Sequence, residues 1–116
     1  MANTFKVKSN AAMPTSSGTP LTLYTCGASS GAVVLGLVLA NVHTSSVNAS
    51  VKLDSNTSDT ETNEEVFLVK DVPIPSGSSL ELLSGNKVVL QNTDILKIDC
   101  STSAKIDATL SIMEIT

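Results

Sequence analysis

The sequence predicts an all-β protein, a single antiparallel β-sandwich of jelly-roll or immunoglobulin-like type with about eight to nine short strands. Three observations carry that expectation. Apolar residues recur with a period of two, β-branched side chains dominate the apolar positions, and short polar links rich in Ser, Thr, Asn and Gly separate the runs. No window of ten or more residues shows a capped 3.6-residue period, so helix content is expected to be near zero.

Taken in order, Phe5 to Lys8 is the first candidate strand and Leu21 to Cys26 the second. Ala32 to Ala40 is apolar in both phases, which suggests a strand buried on both sides or covered by a partner subunit; its interior Gly36 fits a bulge or a close backbone approach. In the next run Val47, Ala49, Val51 and Leu53 alternate with Asn48, Ser50, Lys52 and Asp54, one dry face and one wet. Val66 to Lys70, Leu80 to Leu83 and Lys87 to Leu90 follow. Leu96, Ile98 and Cys100 then alternate with Lys97 and Asp99, and Ile106, Ala108, Leu110 and Ile112 with Asp107, Thr109 and Ser111. The links His43 to Ser46, Ser84 to Asn86, Gln91 to Asp94 and Ser101 to Ser103 are short, so most neighbours are expected to pair as antiparallel hairpins.

Two segments read as irregular. Pro14 to Pro20 is expected to be a flexible connector, which makes residues 1–19 an N-terminal strand or arm with its joint and residues 20–116 the sandwich domain. Val72-Pro73-Ile74-Pro75 lacks two backbone donors and is expected at an edge or in a crossover, not in a central strand.

Composition narrows the function. A chain of 116 residues and 12.0 kDa is one domain. It should expose about 6,000 Å² and bury roughly 65% of its extended surface, enough for a core without metal or disulfide staples. Seventeen Ser and thirteen Thr against 16% charged residues make the surface hydroxyl-rich. All seven cations are lysines and the net charge is −4, so the bidentate arginine fork of nucleic-acid readers is missing and the balance repels phosphate. Ala32 to Ala40 is about half the length of a membrane crossing. No apolar stretch follows the charges of the N-terminal residues, so no secretory signal is expected. Cys26 and Cys100, 74 positions apart, read as two free, half-buried thiols of a reducing compartment.

The candidate chemical motifs fare poorly. Gly27-Ala28-Ser29-Ser30-Gly31 matches a nucleophile elbow, but a β-branched run follows where a helix is needed, and the single histidine, His43, precedes every aspartate. Asp54, Asn56, Ser58 and Glu65 take the spacing of a calcium loop, yet the sixth position is Asp59 where a sharp turn needs Gly; an exposed hairpin tip kept soluble by five carboxylates is the expectation. His43 reads as a turn residue. Phe5, Tyr24 and Phe67 are too scattered for a stacking platform. No catalytic residue, cofactor or metal is therefore assigned, and the chain is expected not to be an enzyme.

Leu21-Thr22-Leu23-Tyr24-Thr25, then Ala32 to Leu37 and Ala40-Asn41-Val42, and in the second half Leu68 to Leu82, Gly85 to Leu90, Asp94 to Ile98 and the Ser-rich turn before the last strand, together form one pattern of strands and turns. It resembles small virion structural proteins of tailed phages that infect marine bacteria, cyanophages especially, over most of residues 20–116. The resemblance brings no catalytic motif. It implies a non-enzymatic virion protein assembled in the host cytoplasm, favoured here as a decoration of the capsid exterior with the major capsid protein as partner. A neck, tail or baseplate component is the alternative, and a carbohydrate-binding module for host recognition a third; a homo-oligomer is compatible with each. The residues expected to touch the partner are Phe5 and Val7 of the arm and one face of Ala32 to Ala40, through Val34 and Leu37.

Overall fold

The computed structural model describes residues 3–27, 31–55, 63–82 and 87–115. Nine strands account for most of them: β1 (Asn3–Met13), β2 (Leu21–Thr25), β3 (Gly31–Asn41), β4 (Val47–Asp54), β5 (Val66–Ile74), β6 (Ser79–Leu82), β7 (Val88–Leu90), β8 (Ile95–Cys100) and β9 (Ile106–Ile115). No helix occurs among the described residues. The exposed surface is 6123 Å², close to the value expected from mass alone.

The strands form two antiparallel sheets, one ordered β1-β9-β3-β6 with β7 also on β3, the other ordered β2-β8-β4-β5. On β3, β6 occupies residues 37–40 and β7 residues 32–34, so β6 and β7 are two pieces of one interrupted edge strand. Counted that way, each sheet has four positions, and the chain passes from one sheet to the other at every step except β4 to β5. That is the jelly-roll arrangement, and it separates the two expected sandwich types. The expectation of mostly hairpin neighbours is corrected: of seven strand pairings, β4 with β5 alone joins consecutive strands. The links His43 to Ser46, Gln91 to Asp94 and Ser101 to Ser103 pass from one sheet to the other, because sheets ~10 Å apart need few residues to bridge.

Inward-facing aliphatics close the core. Ile106, Ala108, Leu110 and Ile112 of β9, with Ala32, Val34, Leu37 and Leu39 of β3, face Val47, Ala49 and Val51 of β4 and Leu96, Ile98 and Cys100 of β8. A bulge between Val34 and Gly36 sets two β3 residues opposite Ser111. It reverses the side-chain phase, so positions 32 and 34 face inward before it and 37, 39 and 41 after it. This is why the run is apolar in both phases. It also corrects the expected partner contacts, because Val34 and Leu37 are 0% and 1% exposed in the chain's own core.

The N-terminal segment, expected as an arm free to reach a neighbour, is β1, paired with β9 from Asn3 to Met13. The connector after it is hydrogen-bonded to the end of β8 and the link that follows. Ala104 N–H donates to the Pro14 carbonyl, Ser17 N–H to Ser103 Oγ, Ser17 Oγ to the Cys100 carbonyl, and Gly18 N–H to Asp99 Oδ1. Met13-Pro14 is a cis peptide. Pro73 lies in β5, at the edge of its sheet, where a missing donor is tolerated. Buried Asn41 holds the turn around His43: its Nδ2 donates to the carbonyls of Ser45 and Ile74, and its Oδ1 accepts from His43 N–H. Both cysteines are thiols, and they are buried, not half-buried.

Candidate interaction surface

The two outer faces of the sandwich differ in chemistry. On the five-stranded sheet, residues opposite one another share a face, so the registers define cross-strand rows. Phe5 stands opposite Met113, Met113 opposite Val33, and Val33 opposite Val89. This outward row of four apolar side chains spans about 14 Å at ordinary strand spacing. Phe5 is 73% exposed and Val89 65%. Val7, 69% exposed, continues the patch opposite Ser111, beside half-buried Leu35 at the bulge. Further along the sheet the rows turn polar, as in Ser9, Thr109, Val38 and Glu81.

The outer face of the second sheet is ionic. Phe67, Lys52, Lys97 and Thr22 form its corresponding row. Two lysines directly opposite one another would repel, but the Glu65 carboxylate lies 3.3 Å from Lys52 Nζ and 3.2 Å from Lys97 Nζ, and Asp54 is 3.1 Å from Lys97. The two lysines hold the Glu65 carboxyl below the usual glutamate range, Lys97 most strongly, and the bonds to Asp54 and Glu65 raise the Lys97 ammonium. Phe67 is capped by the ammonium groups of Lys52 and Lys70, 4.8 and 5.1 Å from its ring centre. Phe5 has no such cap among the described residues, because Lys6 and Lys8 occupy the other phase of β1.

β1 is anchored at one end by a three-residue cluster. Glu114 Oε1 lies 2.8 Å from Lys6 Nζ, while Glu114 Oε2 accepts a hydrogen bond from the Tyr24 hydroxyl. Lys6 first and Tyr24 second draw the Glu114 carboxyl below its usual range; burial, then Glu114, push the Tyr24 phenol well above its own. One carboxylate thus ties β1, β9 and β2 together.

The middle of the elbow motif, residues 28–30, and the middle of the acidic loop, residues 56–62, lie outside the described residues, as does the expected link Ser84 to Asn86. The two ends of the calcium-type spacing, Asp54 and Glu65, are brought together, but the cation between them is the Lys97 ammonium. Among the described residues no group of three or more His, Cys, Asp or Glu is placed to hold a metal ion. A cavity of about 570 Å³ opens at one end of the sandwich between Leu53, Ser55, Asn63, Val66, Val89 and Asp94. Among the described residues its lining has no aromatic ring on which a sugar would stack. Of the four residues expected at a partner interface, Phe5 and Val7 lie on the apolar patch, and their neighbours there are Met113, Val33 and Val89 in place of Val34 and Leu37. The sign that points to Val33 is the apolar run with an internal glycine, read as a phase reversal.

No protein-family model matches the sequence, and comparison with curated proteins finds no match.

Proposed function

We propose that the chain is a non-enzymatic structural protein of a tailed-phage virion that decorates the outside of the capsid and attaches through the outer face of its five-stranded sheet. The observation that carries this reading is the outward apolar row Phe5, Met113, Val33 and Val89, exposed at its two ends and half-buried between them, set against an opposite outer face whose aromatic ring is capped by lysines and whose Lys52 and Lys97 are paired with carboxylates. A contiguous exposed apolar patch with a polar rim marks a packing surface. The jelly roll supports the reading as fold-level analogy, since capsid and lectin domains both use it. So does the resemblance of its strand-and-turn pattern to small phage virion proteins, and a net charge of −4 suits a position away from packaged DNA. In this reading the partner is the major capsid protein and assembly takes place in the host cytoplasm.

The test is co-sedimentation of purified chain with expanded capsid shells and, separately, with neck and tail assemblies. Saturable binding to shells, abolished by combined Phe5→Ser and Val89→Ser replacement, is the expected result. A stable ring in solution that binds only necks or tails would move the protein to that part of the virion. Binding to glycans, with none to any virion component, would replace the structural reading by host recognition.

A further inference from the structure

Four edges terminate the two sheets: β1 and the β6/β7 run in one, β2 and β5 in the other. An open edge is a row of unpaired N–H and C=O groups, and proteins blunt it with short strands, bulges, proline or charge. Three of the four are blunted by backbone devices. β6 and β7 are pieces of four and three residues. β2 has five residues and a bulge. β5 carries Pro73, two register shifts and Asp71 at a φ of 52°.

β1 is different. It holds eight consecutive pairs with β9, Asn3 to Asn10, without a shift, and only past Asn10 does it bulge. A regular run of that length exceeds an ordinary strand. Residues 3–9 are exposed on both faces, and among the described residues no strand pairs with the other side of β1. Among the described residues the device guarding this edge is charge on the face opposite Phe5 and Val7: Lys8, and Lys6, whose ammonium also pairs with Glu114.

That guard is selective. If two copies of β1 paired antiparallel about a twofold axis, registers centred on Lys6, Val7 or Lys8 would set lysine against lysine, which is destabilising. The register centred on Phe5 avoids this but overlaps only residues 3–7 of the described strand. A strand carrying carboxylates in the same phase meets attraction in place of repulsion.

We propose that the free edge of β1 accepts a strand from a partner protein. The added strand alternates carboxylate side chains, set against Lys6 and Lys8, with aliphatic or aromatic ones that extend the row of Phe5, Met113, Val33 and Val89. The inference stands on the edge itself and holds for whatever assembly contains the chain.

The test titrates the full chain into fluorescent eight-residue peptides, one alternating Glu with Val and one alternating Lys with Val, and reads anisotropy at low and high salt with amide exchange by NMR. The acidic peptide is expected to saturate, to weaken as salt rises, and to protect amides within residues 3–10. Lys8→Glu, at an exposed position, should weaken the acidic peptide by roughly three- to tenfold and strengthen the basic one. Lys6→Gln, which adds no repulsion toward Glu114, should shift the acidic peptide in the same direction by less. Equal binding of both peptides, no binding of the acidic one, protection away from β1, or self-association through β1 in sedimentation would each overturn the proposal.

Discussion

Phe5 on β1 stands directly opposite Met113 on β9, both on the face of the sheet turned away from the core. With 73% of its surface exposed, Phe5 contributes little to the fold and much to any surface that covers it. Phe5→Ala is therefore expected to change stability by no more than ~0.5 kcal/mol, the usual range for an exposed site. Binding to capsid shells should fall by at least an order of magnitude if Phe5 anchors the contact, since a truncated aromatic anchor costs ~2 kcal/mol or more. A melting temperature that drops by several degrees would place Phe5 in the domain's own core instead.

Leu37 and Val38 lie side by side on β3 with opposite fates. Leu37 is 1% exposed and packs in the core, whereas Val38 shares an outward row with Thr109 and Glu81. Leu37→Ala should cost about 2–5 kcal/mol in urea unfolding, a lost side chain plus the cavity it leaves. Val38→Thr should fall within about 1 kcal/mol. Equal costs would mean that the phase reversal at the bulge is absent.

How much of this was legible beforehand depends on the interaction that fixes each feature. β9 was readable almost residue by residue, because alternation of Ile106 to Ile112 with Asp107 to Ser111 is a local pattern set by one buried face. The inward faces of β4 and β8 were readable for the same reason. The order of strands was not, since a jelly roll is made by pairings such as Asn3 with Ile115, and no local signal carries a contact over that separation. Val34 and Leu37 read as one face of the apolar run Ala32 to Ala40. Positions three apart share a face only across a bulge, and that bulge turns both of them inward. In sequence Lys97 is one more wet-face residue; its place between Asp54 and Glu65 depends on how β4, β5 and β8 align.

Acid should loosen the two carboxylates that lysines hold. Glu65 and Glu114 both lie below the ordinary glutamate value of 4.5 in the folded chain. Their stabilisation is therefore complete above that pH and is lost as pH falls through the lowered folded-state values. Lys97→Met removes the largest cause at Glu65, and Lys6→Met the largest at Glu114. Each replacement should flatten the loss of stability measured by urea midpoints below pH 4.5, with little change in its slope between pH 6 and 8. An acid limb as steep as that of the unaltered chain would show that these pairs do not govern it.

Calcium should not bind tightly where its spacing is found. The Lys97 ammonium, 3.1 Å from Asp54 and 3.2 Å from Glu65, already neutralises the ends of the acidic loop. A divalent ion would have to displace it and strip both carboxylates of that partner. Calorimetry with calcium is expected to give no heat at micromolar concentrations. Heat in that range, accompanied by a thermal shift, would show that the loop takes the ion in spite of Lys97.

The thiols should remain thiols under mild oxidation. Cys26 N–H donates to the Asp94 carbonyl at one end of the β2–β8 ladder, and Cys100 lies at the other end of β8, six residues along. At ordinary strand rise that separates them by about 20 Å, several times the reach of a disulfide. Burial also pushes the Cys26 thiol up, which keeps it protonated near neutral pH and slow to react. Both groups should react with a thiol-specific aromatic disulfide only at the rate of unfolding, then fully in denaturant. Intact mass should be the same with and without reductant. A mass lower by two hydrogens in the native protein would require β2 and β8 to pair in a different register from the one that builds this sandwich.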